Sequence, residues 1–367
     1  MHRGGAPETV TPAPAPEAEK RADVPSRPPA AASQVAALPA IEAAPRPSVV
    51  PSTSAPAAAT PIVAAIDVGA NSTHLLVARV GEALETLADE SALLGLGAAV
   101  YTSEVIPAEV ADAVVDALST YVGRARSLGA ADPVLLGTEP FRMAGNAARV
   151  VARICREVGV PFHVLRHDEE GLLTLIGATN GAPLDAEIVI VDIGGGSSEI
   201  VVAGPGRQPS MRGLPLGSAR ASAHHVEHDP PTPVELDAIR AEAAAVLEGA
   251  PDARPERIVL VGGTASNLLK VGTSDPDDDL LTRPRLARAL AELLLEPAAA
   301  VAEQHAIRVQ RARILGAGAA IVEAILDRYG LDTAIATDEG IRHGAVIASA
   351  RAGAAWRDSL PRLAGVG

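Results

Sequence analysis

Two aspartates stand at the ends of apolar runs, directly before glycine turns, and this placement indicates phosphate and metal chemistry. The segment AAIDVGANSTHLLVARV, residues 64–80, contains Asp67, and the segment EIVIVDIGGGSSEIVVA, residues 187–203, contains Asp192. Glycine permits backbone turns whose amide groups face a bound anion. Taken alone, the first segment is better read as a β-hairpin with an acidic tip. Taken together, the two segments predict phosphate-binding loops that face each other across one divalent cation.

The residues around both turns supply the groups that such a site needs. In the second loop, three glycines permit close backbone approach, and Ser197 adds a hydroxyl donor. Asp67 and Asp192 are the predicted ligands of Mg²⁺, and Glu199 is a further candidate through a metal-bound water. The alternative for the second segment is another tight hairpin. The predicted phosphate-binding residues of the two loops are Gly69, Asn71, Ser72, Gly194, Gly195, Gly196 and Ser197.

Composition narrows the classes of partner. The 367-residue chain has a formal net charge of −14, which argues against binding nucleic acid. A small polyanion is compatible with a local basic patch, which would be mostly arginine because the chain has only two lysines. The single cysteine excludes an internal disulfide and a cysteine metal cluster. No uncharged apolar run is long enough to span a bilayer, so we expect a cytoplasmic protein without a membrane partner.

Strand patterns and helix patterns alternate along the chain from residue 61, which is typical of an α/β fold. These strands and helices must position the candidate residues. Residues 1–60 are rich in Ala and Pro and lack apolar periodicity, so they predict a disordered tail. The second aspartate segment repeats the pattern of the first. We therefore predict two domains of related topology, at 61–185 and 186–352, before a C-terminal tail at 353–367. A glycine-rich loop is expected at residues 93–100.

Seven segments of the chain, in their order and approximate spacing, resemble the exopolyphosphatase / guanosine pentaphosphate phosphatase (Ppx/GppA) family. The resemblance covers residues 62–350 and implies two actin-like (ribonuclease H-like) domains with a cleft between them. It also implies a Mg²⁺-dependent phosphohydrolase that acts on polyphosphate or guanosine pentaphosphate, and a homodimer. The segments are AAIDVGANSTHLLVARV, LLGTEPFRMAGNA, HDEEGLLTLIGA, IVIVDIGGGSSEIVVA, RGLPLGSAR, VGGTASNLL and ATDEGIRHGAVI.

The resemblance assigns roles to residues outside the two loops. Glu170 matches the family's catalytic glutamate, which would position the attacking water, and Arg142 would stabilise charge on the transferred phosphoryl group. Without the resemblance, Glu170 and its neighbour Glu169 are better read as a dipole-stabilising first turn of a helix, and Arg142 as a surface arginine. Gly263 and Thr264 match the superfamily's adenosine-side turn, where a base, a more distal phosphate or nothing would bind.

The chain departs from the family pattern at four positions. Ala70 stands where a serine is common, and Arg313 stands where an aspartate is common. Leu93 and Leu172 stand where arginines are common. Because each missing arginine removes a charge-assisted hydrogen bond, we expect weaker polyanion binding. Two alternatives therefore stay open: a non-catalytic sensor that binds polyphosphate or a guanosine alarmone, and an ATP-dependent kinase of the same superfamily.

Overall fold

Two mixed β-sheets form the centre of the protein. The computed structural model describes residues 60–273, 275 and 278–365, which belong to one compact unit. The disordered tail predicted for residues 1–60 lies outside the described residues, apart from Thr60. The described part is a mixed α/β fold, as the sequence predicts.

The first sheet has its strands in the order β3-β2-β1-β4-β5, and the second in the order β10-β11-β9-β6-β7-β8. In each sheet the first three strands in chain order, β1–β3 and β6–β8, pair antiparallel. Parallel strands follow, β4 and β5 beside β1 and β9 and β11 beside β6, and β10 closes the second sheet by pairing antiparallel with β11. The strands are β1 (Ile62–Val68), β2 (Ser72–Val80), β3 (Leu84–Leu93), β4 (Val134–Gly137), β5 (Phe162–Val164), β6 (Ile188–Ile193), β7 (Ser198–Ala203), β8 (Ser210–Leu214), β9 (Arg257–Val261), β10 (Leu280–Thr282) and β11 (Thr333–Thr337).

Helices connect and cover the two sheets. Within the described residues, no helix combines the length and the apolar character needed to cross a membrane. The helices are α1 (Leu96–Ser103), α2 (Ala108–Ser127), α3 (Glu139–Met143), α4 (Ala147–Val158), α5 (His167–Ala178), α6 (Ser218–His225), α7 (Pro233–Leu247), α8 (Gly263–Gly272), α9 (Arg283–Leu295), α10 (Ala298–Gln304), α11 (Val309–Tyr329), α12 (Ile341–Ala352) and α13 (Leu360–Leu363).

The shared topology places the two aspartates equivalently. Asp67 lies near the carboxyl end of β1, and Asp192 lies near the carboxyl end of β6. Asp67 is opposite His74 on β2, and Asp192 is opposite Glu199 on β7. Because directly opposite residues of antiparallel strands have their side chains on the same face, strand pairing brings Glu199 beside Asp192.

The end of the chain packs against the first sheet. Helix α12 contacts α5, β1 and β2, although the domain boundary predicted at 185/186 assigned it to the second domain; that boundary stays a prediction. The described part of the predicted C-terminal tail, residues 353–365, is also packed, since Trp356 and Leu360 are buried in the same apolar cluster as α12. Two large apolar residues anchor a segment whose Ala- and Gly-rich sequence has no clear periodicity.

The structure also corrects the loop expected at residues 93–100. Gly95 adopts a left-handed conformation with φ of 62°, and α1 starts directly after it. Leu96 and Val100 on α1 are buried in the core under the first sheet. Strands β3, β8 and β10 were not predicted. In β3 most side chains are exposed or only half-buried, so it lacks the apolar alternation by which strands are recognised in a sequence.

Candidate active site

A cavity of about 450 Å³ lies where the loops that follow the strands of both sheets meet. The turn after β9 and the first turns of α11 and α12 complete its wall. Of the predicted site residues, Arg142 and Thr264 are not on this wall. The others are, namely Asp67, Gly69, Asn71, Ser72, Glu170, Asp192, Gly194, Gly195, Gly196, Ser197, Glu199 and Gly263.

The first glycine loop leaves backbone amides available to an anion. The Gly69 amide donates to the Ser72 carbonyl at 3.0 Å and closes the turn. The carbonyls of Ala70 and Asn71 accept hydrogen bonds from amides of residues 94–97, which lead into α1. Among the described residues, the amides of Ala70 and Asn71 have no acceptor. This loop therefore offers two unpaired donors at the cavity wall.

The second glycine loop has the same character and is fixed from behind by α6. The amides of Ser218 and Arg220 donate to the carbonyls of Gly194 and Gly195 at 3.0 and 2.9 Å. The Arg220 side chain donates through Nε to the Gly196 carbonyl at 2.8 Å. With these carbonyls bound to α6, the amides of residues 195–197 are left without an acceptor among the described residues. Both loops thus have the donor arrangement of a phosphate cradle.

Replacing Gly217 with alanine is expected to displace the second loop. A Cβ atom at Gly217 would lie 2.5 Å from backbone atoms of Gly195 and Gly196, which have no flexible side chain to move aside. We expect a loss of about 1–3 kcal/mol in the free energy of unfolding, the usual cost of overpacking. Chemical denaturation checks this. Gly123→Ala is the control, because that position on α2 is open and alanine favours helix; equal stability of the two variants would contradict the prediction.

The predicted catalytic pair is in direct contact. Arg142, at the end of α3, donates through Nη1 to Glu170 Oε1 at 2.5 Å and to the Leu165 carbonyl at 2.9 Å. The Glu170 carboxylate lies at the cavity wall and is almost fully buried, which raises its pKa well above the ordinary value. Glu199 raises this pKa further, whereas Arg142 opposes the shift. The neighbour Glu169 instead binds Arg357, away from the cavity lining.

The three carboxylates of the predicted metal site, Asp67, Asp192 and Glu199, all line the cavity. Burial raises the pKa of Asp192 to about 8, and the nearby Glu199 and Asp67 carboxylates add to the shift. Burial also raises the pKa of Asp67, against the effect of Arg342, whose Nη1 lies 3.6 Å from Asp67 Oδ2. Among the described residues, the Asp192 carboxylate has no hydrogen bond or ion pair. An enclosed, unpaired carboxylate beside two others is an oxygen-rich donor set that suits Mg²⁺.

His167, Glu170 and Glu199 form a second cluster of side chains that could bind a metal ion. Its Nδ1 atom lies 3.0 Å from Glu199 Oε1, and the ligand atoms of His167, Glu170 and Glu199 lie within 4.8 Å of one another. Arg142 is hydrogen-bonded to Glu170 and lies 4.0 Å from Glu199, so a cation already neutralises this group. Asp67 has Arg342 at 3.6 Å, whereas Asp192 has no such partner among the described residues, so the metal site predicted at these two aspartates stays a prediction.

The turn between β9 and α8 contributes backbone atoms rather than side chains to the cavity wall. Gly262 has φ of 91°, and a Cβ atom there would lie 3.2 Å from Asp192 Oδ1. Gly263 lines the cavity, but Thr264 is buried and its hydroxyl donates to the Ile193 carbonyl at 3.2 Å. The phosphate-binding role predicted for these two residues stays a prediction, and the structure favours Gly263 over Thr264.

The residues that sequence reasoning missed are mainly basic. Arg308 and Arg311 of the α11 start, Arg342 of α12 and Lys270 of α8 line the cavity. Arg311 Nη2 lies 3.4 Å from Ser72 Oγ, and Arg308 donates to the Ser91 side chain at 3.0 Å. Among the described residues, neither Arg308 nor Arg311 has a carboxylate within ion-pair distance. Only Arg342 lies in one of the seven segments that carry the family resemblance, and nothing in the sequence showed where these side chains point.

Three of the residues that depart from the family pattern, Leu93, Leu172 and Arg313, differ in how exposed they are. Leu93 is 41% exposed at the end of β3, while Leu172 is buried in the apolar cluster that includes α12. Arg313 is exposed on α11 and lines a different cavity from Arg311. The weaker polyanion binding expected from the two missing arginines stays a prediction.

Curated proteins of similar sequence include an exopolyphosphatase and a pyrophosphatase. Exopolyphosphatase 1 of Mycobacterium leprae is 29% identical over 303 residues, covering 77% of this chain and 87% of that protein. A guanosine-5'-triphosphate,3'-diphosphate pyrophosphatase of Vibrio cholerae is 23% identical over 295 residues. That alignment covers 79% of this chain but only 59% of the relative, so the chain spans about three fifths of its length.

Solved structures show the same fold. A crystal structure of an exopolyphosphatase-like protein matches with a TM-score of 0.71 and 25% identity, covering 79% of this chain and 99% of that one. The Aquifex aeolicus PPX-GPPA enzyme matches with a TM-score of 0.67 and 24% identity, covering 78% and 99%. These likenesses bear out the predicted two-domain actin-like fold. Since the family profile also matches residues 75–352, the chain belongs to the Ppx/GppA phosphatase family.

Proposed function

We propose that the protein is a metal-assisted phosphohydrolase that removes the terminal phosphate from inorganic polyphosphate or guanosine pentaphosphate. The observation that carries the proposal is the contact of Arg142 with the buried Glu170 carboxylate beside a cleft with two amide-lined loops. The names of the similar exopolyphosphatase and pyrophosphatase support this substrate class. The unpaired arginines in the cleft suit a polyanion better than an uncharged acceptor, which counts against the kinase alternative.

The chain's own residues divide the work of the reaction. Glu170 would accept a proton from the attacking water. At the same time the water oxygen bonds to phosphorus and the P–O–P anhydride bond breaks. A base with a raised pKa is closer to the pH of operation and accepts a proton more effectively. Arg142 is behind the wall, bound to Glu170, and would turn its guanidinium toward the phosphoryl oxygens as charge builds on them. The unpaired loop amides would hold the bridging and terminal phosphates.

Asp67, Asp192 and Glu199 would hold Mg²⁺, to which their oxygen donors are suited. When bound, the ion would neutralise phosphate oxygens and lower the pKa of a coordinated water. Burial is the main cause of the raised pKa of Asp192, and the repulsion from Glu199 and Asp67 that adds to it would be relieved at the same time.

Replacing Arg311 with glutamine is expected to raise KM by about 10- to 100-fold, because a hydrogen bond to a charged group contributes about 1.5–3 kcal/mol. Steady-state kinetics at several salt concentrations check this, and the salt dependence of KM should become weaker. The matched control is Arg313→Gln, which removes the same charge from an exposed position on the same helix. Equal KM values for the two variants would show that Arg311 does not bind substrate.

One panel of substrates tests the proposed function. Purified protein with Mg²⁺ should release inorganic phosphate from polyphosphate, from guanosine pentaphosphate or from both. Tight binding of both compounds without phosphate release would support a sensor, and transfer of phosphate from ATP to an acceptor would support a kinase. Sedimentation of the same sample would test the predicted homodimer.

A further inference from the structure

A small network of side chains joins the second glycine loop to helices α1 and α3. Glu139 is the first residue of α3, and Tyr101 lies on α1. The Tyr101 hydroxyl donates to Glu139 Oε2 at 2.6 Å, and Arg220 Nη2 on α6 donates to Glu139 Oε1 at 2.9 Å. The same guanidinium donates through Nε to the Gly196 carbonyl at 2.8 Å. One carboxylate thus connects α1 and α3 with the loop across the cleft.

The network is enclosed and electrostatically satisfied. The Glu139 side chain is 12% exposed and that of Arg220 is 22% exposed. The Arg220 guanidinium also lies over the Tyr101 ring, 5.0 Å from its centroid. Burial and the Glu139 carboxylate raise the pKa of the Tyr101 hydroxyl, which therefore stays a donor. A Cβ atom at Gly196 would overlap both the Tyr101 hydroxyl and the Glu139 carboxylate. The loop can therefore pack against this network only if residue 196 is glycine.

The position of Glu139 links two parts of the site. Arg142 lies three residues after Glu139 on the same short helix, and residues at this spacing lie on one face. At its start, α3 holds Arg220 against the loop carbonyl, which keeps that oxygen away from an incoming phosphate. At its end, α3 carries the arginine that contacts Glu170. A shift of α3 would therefore move the phosphate cradle and Arg142 together.

We propose that Glu139 is a positioning residue: it holds Arg220 on the Gly196 carbonyl and, with Tyr101, ties the second glycine loop to the helix that carries Arg142. The catalytic readout of this proposal rests on the proposed function, whereas the structural readout does not. Removing the Glu139 charge leaves the fold of α3 intact but frees the Arg220 side chain. The loop amides then lose their fixed orientation.

The test uses Glu139→Gln, Arg220→Gln and the double variant of the full chain. Hydrogen–deuterium exchange of residues 194–198 should be about tenfold faster in Glu139→Gln, while exchange in α11 is unchanged. The kcat for phosphate release should fall about tenfold in each single variant, which corresponds to about 1.4 kcal/mol. The double variant should be no slower than either single one, because both break the same link. Glu157→Gln is the control, since that exposed glutamate on α4 also pairs with arginine.

The outcomes are distinguishable. Unchanged exchange at residues 194–198 in Glu139→Gln would overturn the proposal, as would an increase of equal size throughout the protein. Independent losses of kcat that multiply in the double variant would also overturn it. If the wild-type protein releases no phosphate from any substrate, the proposed function fails, and the exchange measurement alone decides on the role of Glu139.

Discussion

Replacing Glu170 with glutamine is expected to lower kcat for phosphate release by about a thousandfold, within the usual range for losing a general base. Glutamine keeps the size of the side chain and its contact with Arg142, but it does not accept a proton from water. The KM value should change little, because Glu170 is not a predicted phosphate ligand. Stability should be equal or higher, since the variant removes a buried carboxyl group whose pKa is raised by burial. Single-turnover phosphate release and thermal unfolding measure the two effects.

The adjacent Glu169 provides a matched control with the opposite expectation. Its carboxylate accepts two hydrogen bonds from Arg357, at 2.6 and 2.7 Å, and one from the Arg166 amide at 2.8 Å. Glu169→Gln should therefore lower the free energy of unfolding by about 1–3 kcal/mol. At temperatures where it is folded, this variant should keep its turnover. An equal loss of turnover in both variants would contradict the assignment of Glu170 as the base.

The two glycine loops and their aspartates were predictable because the information is local. An apolar strand, an aspartate and a glycine turn follow one another within a few residues, and strand pairing alone places Glu199 beside Asp192. The repetition of this pattern indicated two sheets of related order, which the structure has. The roles of Glu170 and Arg142 could be predicted only from the family resemblance, because both residues are distant from the glycine loops in the sequence. Their contact depends on how α3 and α5 pack.

The basic side of the cleft and the Glu139 network were not predictable from the sequence. Arg308 and Arg311 look like surface residues of an amphipathic helix, and their direction is fixed only when α11 packs beside the second sheet. Glu139 looks like an ordinary first-turn acid of a helix. Its partners are 38 and 81 residues away along the chain. Local patterns carry no information about contacts at such separation, so long-range packing decides them.

Replacing Asp192 with asparagine is expected to lower Mg²⁺-dependent phosphate release by about 100- to 1,000-fold, since a metal ion supplies several kcal/mol of charge stabilisation. The variant should also change how stability depends on pH. In the folded protein without metal, the pKa of Asp192 is raised from 3.8 to about 8. The folded state therefore holds a proton that the unfolded state has released. Stability should fall as the pH rises from about 4 to about 8, and Asp192→Asn should reduce this fall.

Mg²⁺ should act in the opposite sense, because the ion competes with the proton for the same carboxylate. It should stabilise the wild-type protein more at pH 8 than at pH 5 and stabilise Asp192→Asn much less. Thermal unfolding in EDTA and in Mg²⁺ across this pH range measures both effects. Asp185→Asn is the control, because that aspartate is exposed just before β6 and pairs with Arg257. If Asp192→Asn keeps the wild-type response to Mg²⁺, the ion does not bind at the pair of aspartates that end the two strands.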